Sequence, residues 1–255
     1  MTRDSIIVKN KNLTYSDALK YIFPLISVAC ILMNESTRFD PSSQTAFSIA
    51  KAGYPLIFLP AFVTIVLALL GMTTSSLICL IITLSICGFF RDPDRIIPDK
   101  EGIVVSPADG KVIAAGIVDD SPYFSGKTMK ISIFMSVFNV HVNRMPCDGR
   151  IKEIRYHPGK FFSANLEKAS LENEHNAVYV EMENGNQICV VQIAGLIARR
   201  IICYAQSGDQ VIRGQRFGLI CFGSRLDVYL PANIELKATV GDKVKAGASI
   251  LGQFA

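Results

Sequence analysis

No charged residue occurs between positions 52 and 90 of this 255-residue chain, and few folds can accommodate such a stretch. Residues 71–76 divide it into two apolar arms, each near the short end of the length that a helix needs to cross a hydrocarbon core. Pro60 is expected to kink the first arm. A buried helical pair in a soluble core is the alternative, but such helices have a polar face and these arms have none. The sequence therefore predicts a membrane hairpin of two apolar helices over residues 51–90.

The charges around this hairpin predict its orientation. Lys51 precedes the first arm, Arg91 and Arg95 follow the second, and the connecting turn is uncharged. By the positive-inside rule, both ends then lie in the cytoplasm. Residues 1–50 are predicted to be an N-terminal extension, in which the apolar run 21–33 is either an interfacial segment or a weak third helix. No small-residue cleavage site follows this run, so a cleaved signal peptide is not expected.

Composition excludes several classes of protein. The seven cysteines are an odd number without a Cys-x-x-Cys spacing, which argues against a disulfide framework or a zinc site. They are expected to be reduced and buried, as in a cytoplasmic protein. The net charge of +4 suits an anionic membrane surface, and no basic patch interleaved with aromatic residues indicates nucleic-acid binding.

Residues 91–255 are predicted to form one β-rich domain. Short runs of β-branched and aromatic residues recur between turn residues, and only residues 163–173 are expected to be helical or loop-like. Asp-Gly or Asn-Gly pairs at 109–110, 148–149 and 184–185 predict hairpin turns. The predicted strands cover residues 102–105, 111–118, 129–135, 150–157, 177–183, 187–194, 200–204, 225–230 and 234–240.

One segment of this domain is repeated. Residues 208–214 (GDQVIRG) return as 241–247 (GDKVKAG), and each copy leads into an apolar strand. Two such units predict pseudo-symmetric halves of a folded-over sheet. Together with residues 106–112 (SPADGKV), the repeat is similar to the barrel-sandwich hybrid fold of lipoyl domains.

The dipeptide Gly223-Ser224 can carry unusual chemistry. If the hydroxyl of Ser224 attacks the carbonyl of Gly223, the peptide becomes an ester, and elimination then leaves a pyruvoyl group on the new chain end. Alone the pair is weak evidence, because Gly-Ser pairs fill ordinary turns. His141 lies in a strand-like apolar segment and is either a functional residue or a core histidine, while His157 and His175 are expected to be exposed loop residues.

Several ordered motifs together resemble the phosphatidylserine decarboxylase family in its short bacterial form. The resemblance runs from about Gly53 to the C-terminus. It is carried by residues 89–95 (FFRDPDR), 106–110 (SPADG), 134–146 (FMSVFNVHVNRMP), 157–162 (HPGKFF), 172–174 (ENE) and 222–225 (FGSR).

This resemblance implies a self-cleaving enzyme of the inner cell membrane whose catalytic domain faces the cytoplasm. A large chain, 1–223, and a small chain, 224–255, should stay associated as a heterodimer. Ser224 should become a covalent pyruvoyl cofactor that forms a Schiff base with phosphatidylserine and releases carbon dioxide to give phosphatidylethanolamine. The expected partners are this substrate and anionic membrane lipid, with no metal, pyridoxal phosphate or nucleic acid.

The resemblance also implies roles for other residues. His141 should assist proton transfer, and Asp109 should either orient His141 or hold the cleavage loop. Longer family members carry a second histidine where this chain has Arg144, which cannot act as a base near neutral pH. His141 is therefore expected to serve both self-cleavage and decarboxylation. Residues 160–162 (KFF) predict either a lipid-contacting loop or a part of the core.

Three other functions fit parts of the sequence. A related pyruvoyl decarboxylase could act on another serine-headgroup lipid. An uncleaved, membrane-tethered binding or carrier module would need a lysine at a hairpin tip, and Lys111 opens a strand instead. A zinc peptidase on a related fold would need a second ligand two residues after His141, where the chain has Asn143.

Overall fold

The computed structural model describes residues 49–166, 169–196, 200–221 and 223–254, so the predicted N-terminal extension lies almost wholly outside the described residues. The described chain is mainly β, as predicted. Its helices are the 3₁₀-helix Lys51–Gly53, which leads into α1 (Tyr54–Leu69), then α2 (Thr73–Phe89) and the short α3 (Ala169–Glu172). Its strands are β1 (Ile103–Val105), β2 (Gly110–Val118), β3 (Thr128–Met135), β4 (Val142–Arg144), β5 (Gly149–His157), β6 (His175–Glu181), β7 (Gln187–Ile193), β8 (Ile201–Cys203), β9 (Gln210–Val211), β10 (Arg216–Ile220), β11 (Ser224–Pro231), β12 (Glu235–Leu236), β13 (Lys243–Val244) and β14 (Ile250–Gln253).

Helices α1 and α2 pack against each other and are joined by a short turn at Gly71, whose φ of 72° suits glycine. Pro60 lies inside α1. Within the described residues, Lys51–Leu69 is the one helical segment both long and apolar enough to cross a membrane, and α2 is shorter. Most side chains of both helices face outward. The helical pair is thus observed, whereas its crossing of a membrane stays a prediction.

An eight-stranded antiparallel sheet forms the body of the domain, in the order β13-β2-β3-β11-β7-β6-β5-β9. Two three-stranded sheets, β1-β14-β12 and β4-β10-β8, complete the fold. The main core combines Ile133 and Leu226 of the large sheet with Val104 and Leu251 of one small sheet and Phe217 of the other. Strand β11 therefore lies at the centre of the large sheet, with β3 on one side and β7 on the other.

The two repeated segments occupy opposite edges of the large sheet. Strand β9, in the first copy, pairs with the start of β5, and β13, in the second, pairs with the start of β2. Ile97 contacts both copies, because a Cβ atom on Gly214 or Gly247 would lie 2.4 or 2.9 Å from its Cδ1 atom. This arrangement agrees with the pseudo-symmetric halves expected from the repeat. The likeness to a barrel-sandwich hybrid stays a prediction.

Two of the three predicted hairpin turns are wrong. The Asn-Gly pair at 184–185 does join a hairpin, between β6 and β7. The Asp-Gly pairs at 109–110 and 148–149 instead connect strands of different sheets, β1 to β2 and β4 to β5.

Close contact between strands explains the glycine in both of these pairs. A Cβ atom on Gly110 would lie 2.3 Å from the carbonyl oxygen of Phe134, and one on Gly149 would lie 2.3 Å from that of Glu181. Glycine is therefore needed for the approach of a neighbouring backbone, and a sequence pattern does not distinguish this need from a turn.

Six cysteines lie in the described part of the chain, and all are free thiols. Cys147, Cys189 and Cys221 are buried, as predicted. The other three are only half-buried, and two of them, Cys79 and Cys87, lie on α2, much of whose surface faces outward.

Candidate active site

Gly223 lies at the end of the connection between β10 and β11, and Ser224 is the first residue of β11. The φ angle of Gly223 is +64°, in the left-handed region that residues with a Cβ atom rarely adopt. A Cβ atom there would meet nothing within 4 Å, so the backbone conformation, and not lack of space, accounts for the glycine. The residue on the carbonyl side of the predicted cleavage bond thus has a backbone conformation that favours glycine.

The carbonyl group of Gly223 rests against the backbone of Gly195, just beyond the end of β7. A Cβ atom on Gly195 would lie 1.9 Å from the Gly223 carbonyl oxygen, and a real side chain could not occupy that position. The absence of a side chain at Gly195 therefore makes room for the Gly223 carbonyl in its observed position.

The hydroxyl group of Ser224 is fully buried and, among the described residues, has no hydrogen-bond partner. An unsatisfied buried polar group costs about 1–3 kcal/mol, so such groups are rare outside functional sites. Its position suits a nucleophile that needs an acceptor for its proton.

The imidazole of His141 is also buried, with 1% of its surface exposed. Its Nδ1 atom lies 2.9 Å from the carbonyl oxygen of Asn139, so Nδ1 must carry the proton and donate it. The lone pair then resides on Nε2, which has no hydrogen-bond partner in the described part of the chain. Phe89, at the end of α2, packs on the ring with centroids 4.1 Å apart.

The surroundings of His141 keep its ring neutral. Burial lowers its pKa to about 4, and the nearby charge of Arg91 also lowers it, although the hydrogen bond to Asn139 acts in the opposite direction. At neutral pH the Nε2 atom is therefore a free proton acceptor.

Strand pairing brings Ser224 and His141 onto neighbouring segments. Ser224 pairs with Met135 at the end of β3, and the amide of Ile220 donates to the carbonyl of His141 at 3.4 Å. The β3–β4 and β10–β11 connections therefore start and end on the same two pairs of neighbouring strands. That Ser224 and His141, each with one buried atom without a hydrogen-bond partner among the described residues, act in one site stays a prediction.

Asp109 is buried, but its contacts are structural. Its Oδ2 atom accepts a hydrogen bond from Arg95 at 2.8 Å, and its Oδ1 atom accepts one from the amide of Ala246 at 2.8 Å. Asp148, at the pseudo-symmetric position, accepts from the amide of Arg213 at 2.8 Å in the same way. The Nδ1 atom of His141 is held by Asn139, and both expected roles of Asp109, orienting His141 or holding the cleavage loop, stay predictions.

Arg144 is part of a buried ion cluster. Its Nη2 atom lies 2.9 Å from Oδ1 of Asp92, and its Nη1 atom donates to the carbonyl of Gly214 at 3.1 Å. Arg216 binds the other oxygen of Asp92. Arg144 therefore ties the segment after α2 to β4 and β10, which agrees with the expectation that it is not a base.

A second buried ion cluster, which sequence reasoning missed, follows Ser224 directly. Arg225 binds Asp227 through Nε at 2.6 Å and Ser132 through Nη2 at 2.8 Å. Ser170 donates to Asp227 at 2.9 Å, and the Nζ atom of Lys130 lies 3.5 Å from the same carboxylate. A pair of opposite charges two residues apart in an apolar strand is the sequence signal that could have indicated this cluster.

A chain of buried amide side chains, also missed, runs towards Ser224. Asn176 donates to Gln192 at 3.1 Å, and Gln192 donates to Asn143 at 2.9 Å. The amide of Asn143 in turn lies 3.8 Å from the sulfur of Met135, the residue paired with Ser224. Gln192 was detectable as a polar residue within the apolar run 188–193 of β7.

The prediction that His175 is an exposed loop residue is wrong. It lies buried on β6, its Nδ1 atom is 2.7 Å from the carbonyl oxygen of Asn173, and burial lowers its pKa. His157, at the end of β5, is exposed and stacks on His175 with centroids 4.7 Å apart. The polar run around His175 can be buried because the side chain of Asn173 bonds to the backbone of Phe162 and Ala194.

The segment at 160–162 fits neither prediction fully. Both phenylalanines are half-buried, and Lys160 is exposed with its Nζ atom 3.1 Å from Glu172 and 5.5 Å from the ring centre of Phe162. Contact of this segment with lipid stays a prediction.

Comparison with known proteins gives a consistent picture. A family model described as phosphatidylserine decarboxylase matches residues 82–252. A protein of Geotalea uraniireducens is 53% identical over 204 residues, which are 80% of this chain and 95% of its own length. A protein of Syntrophus aciditrophicus is 50% identical over 209 residues, covering 81% and 97%, and one of Nitrosomonas eutropha is 47% identical over 206 residues, covering 81% and 95%. All three are named phosphatidylserine decarboxylase proenzyme.

Proposed function

Because this chain belongs to the phosphatidylserine decarboxylase family of carboxy-lyases, we propose that it is made as a precursor that cuts itself between Gly223 and Ser224. The mature enzyme then removes carbon dioxide from phosphatidylserine to leave phosphatidylethanolamine. The observation that supports this most strongly is the occurrence of a buried serine hydroxyl and a buried, neutral imidazole nitrogen on neighbouring segments, neither of which has a hydrogen-bond partner among the described residues.

Self-cleavage needs only the chain and one water molecule. The Oγ atom of Ser224 bonds to the carbonyl carbon of Gly223 while the hydroxyl proton passes to Nε2 of His141. The peptide C–N bond breaks as a proton reaches the nitrogen, which leaves an ester. Loss of the α-proton of Ser224 and departure of the Gly223 carboxylate give a dehydroalanyl end. After tautomerisation, water adds and ammonia leaves, so the small chain starts with a keto acyl group.

The residues at the start of β11 fit such a group. Arg225 anchors the new chain end to the large chain through Ser132 at 2.8 Å and the carbonyl of Leu166 at 3.3 Å. The pyruvoyl group supplies a ketone that condenses with the amine of the serine headgroup and accepts the electron pair released as carbon dioxide leaves. We infer that Nε2 of His141 takes up the proton that the substrate ammonium loses before it condenses with the ketone, and returns this proton to the product carbon, so that His141 serves both reactions.

The proposed location is the cell membrane, with the β domain on the cytoplasmic side. The apolar segment Lys51–Leu69 and the basic residues that flank the helical pair support it. This location would bring a lipid headgroup to the site without removing the acyl chains from the bilayer.

Replacement of Ser224 tests the proposal. The native chain should give two products, and the smaller, residues 224–255, should have a blocked N-terminus. Ser224→Ala should remain one intact chain without decarboxylase activity, because it lacks the attacking oxygen. Electrophoresis and intact mass measurement report the result.

Ser106→Ala is the matched control for this experiment. Ser106 is equally buried, but its hydroxyl is bonded to the carbonyl of Ala108 at 2.7 Å, so its loss should leave cleavage intact. Cleavage of the Ser224→Ala chain at the same bond would refute the assignment.

A further inference from the structure

Exposed apolar side chains flank the candidate site at the end of the helical pair. Phe138, three residues before His141, is 84% exposed, and its neighbour Val137 is 40% exposed. Leu196, next to the glycine that contacts the Gly223 carbonyl, is 61% exposed. The two connections that border the cleavage bond thus each present an apolar residue to the outside.

The turn that carries Phe138 is firmly held. The amide and hydroxyl of Ser136 both donate to Oδ1 of Asn139, at 2.9 and 2.7 Å, and the amide of Asn139 donates back to Ser136 at 3.0 Å. Arg91 donates to the carbonyl of Phe138 at 2.6 Å. Burial of a phenylalanine side chain stabilises a protein by about 1.5–3 kcal/mol, and Phe138 is not buried by any described part of the chain although its turn is ordered.

The apolar surface at Phe138 continues from the helices. Arg91 binds the carbonyl of Gly88, in the last turn of α2, at 2.6 Å with its other terminal nitrogen, so one guanidinium joins the helix end to the turn. Phe89 of the same turn packs on His141. The exposed apolar side chains of the helices include Phe58, Phe62, Ile65, Leu69, Ile81 and Leu84.

Charge at this end of the molecule favours a phospholipid surface. Lys51 begins the helical pair and Arg91 ends it, whereas the stretch between them is uncharged. Basic side chains at the boundary of an apolar surface suit anionic headgroups. A protein partner would not account for two uncharged, outward-facing helices beside the same turn.

We propose that the turn 136–140 is a membrane-contacting element, in which Phe138 enters the boundary between headgroups and acyl chains while Leu196 does so on the other side of the site. The proposal rests on the proposed function for its choice of partner. Contact of this turn with the membrane would hold the Gly223-Ser224 segment at the level of the lipid headgroups. The catalytic domain would then contact the membrane itself, in addition to the helices.

The absence of tryptophan from the chain allows a direct test. Phe138→Trp, made in the full-length chain with Ser224→Ala, is placed in vesicles of phosphatidylcholine and phosphatidylglycerol with brominated acyl chains. Its emission should be blue-shifted and about twofold quenched by the bromine atoms, as for an aromatic side chain at the interface. Leu196→Trp should behave in the same way.

Ile117→Trp is the matched control. Ile117 is 56% exposed and pairs with Met129, near the far end of the β2–β3 ladder from the Phe138 turn. The rise of a strand places it about 20 Å away, so its emission should stay water-like and unquenched. Unquenched emission from tryptophan at position 138 would overturn the proposal: water-like emission would show that solvent covers the turn, and blue-shifted emission would show that protein does. Because the readout does not require cleavage, it is independent of the Ser224 assignment.

Discussion

The imidazole of His141 stays neutral to a lower pH than that of a solvent-exposed histidine, because burial lowers its pKa, and its role as a base is testable. His141→Ala should slow self-cleavage by roughly 10²–10⁴-fold, the range expected when a general base is lost. The cleaved fraction of freshly translated chain, followed over time by electrophoresis, gives the rate. His157→Ala removes an exposed histidine and should leave the rate unchanged.

The pH dependence of the same rate separates a base from a structural residue. Because the pKa of His141 is lowered to about 4, Nε2 stays unprotonated as the pH falls from 8 to 5, and the rate should be flat over that range. It should fall about tenfold per pH unit below the pKa. A midpoint near 6.5, as for an unperturbed histidine, would contradict the buried, neutral imidazole.

For single residues, the sequence indicates a role where a local motif surrounds the residue. It does not indicate contacts between side chains that are far apart in the sequence. Ser224 and His141 were predicted as functional residues from the motifs around them. The partners of Arg225 and Asp227 include Ser132, 93 positions away, and Ser170, 57 positions away. Such contacts depend on which strands become neighbours, and one sequence does not reveal that.

Among the structural elements, the segment after α2 is held to β4 and β10 by the carboxylate of Asp92, which binds Arg144 and Arg216. Asp92→Asn should lower the free energy of unfolding by about 3 kcal/mol, because it leaves the buried guanidinium of Arg144 without its counter-charge. Asp94→Asn should change it by less than about 0.5 kcal/mol, since Asp94 is exposed and 3.4 Å from Arg216. Urea unfolding in the Ser224→Ala chain measures both. Equal effects would show that Asp92 is not the centre of the cluster.

The strands themselves were largely predictable, because alternating β-branched residues persist wherever one face is buried. The error lay in how the strands connect. Gly110 and Gly149 occur where a neighbouring backbone approaches closely, and an Asp-Gly pair in a sequence carries no information about which sheet the next strand joins.

For the whole molecule, the central position of β11 makes a prediction about the cleaved form. Once the bond before Ser224 is cut, unfolding releases two chains, so its apparent free energy should fall by about 1.4 kcal/mol per tenfold dilution. The uncut Ser224→Ala chain should show no such dependence. Urea titration at several protein concentrations makes the comparison. Dissociation of the small chain without denaturant would contradict the pairing of β11 with both β3 and β7.

The two outermost strands of the large sheet, β9 and β13, contain only two residues each. Each pairs with only the first two residues of its neighbour, β2 or β5, so most of the outer edge of these two nine-residue strands has no strand partner in the described part of the chain. Such an edge is a template for the addition of a strand from another chain. Whatever keeps two copies of the protein from joining sheet to sheet must therefore act along β2 and β5, and not at the short strands beside them.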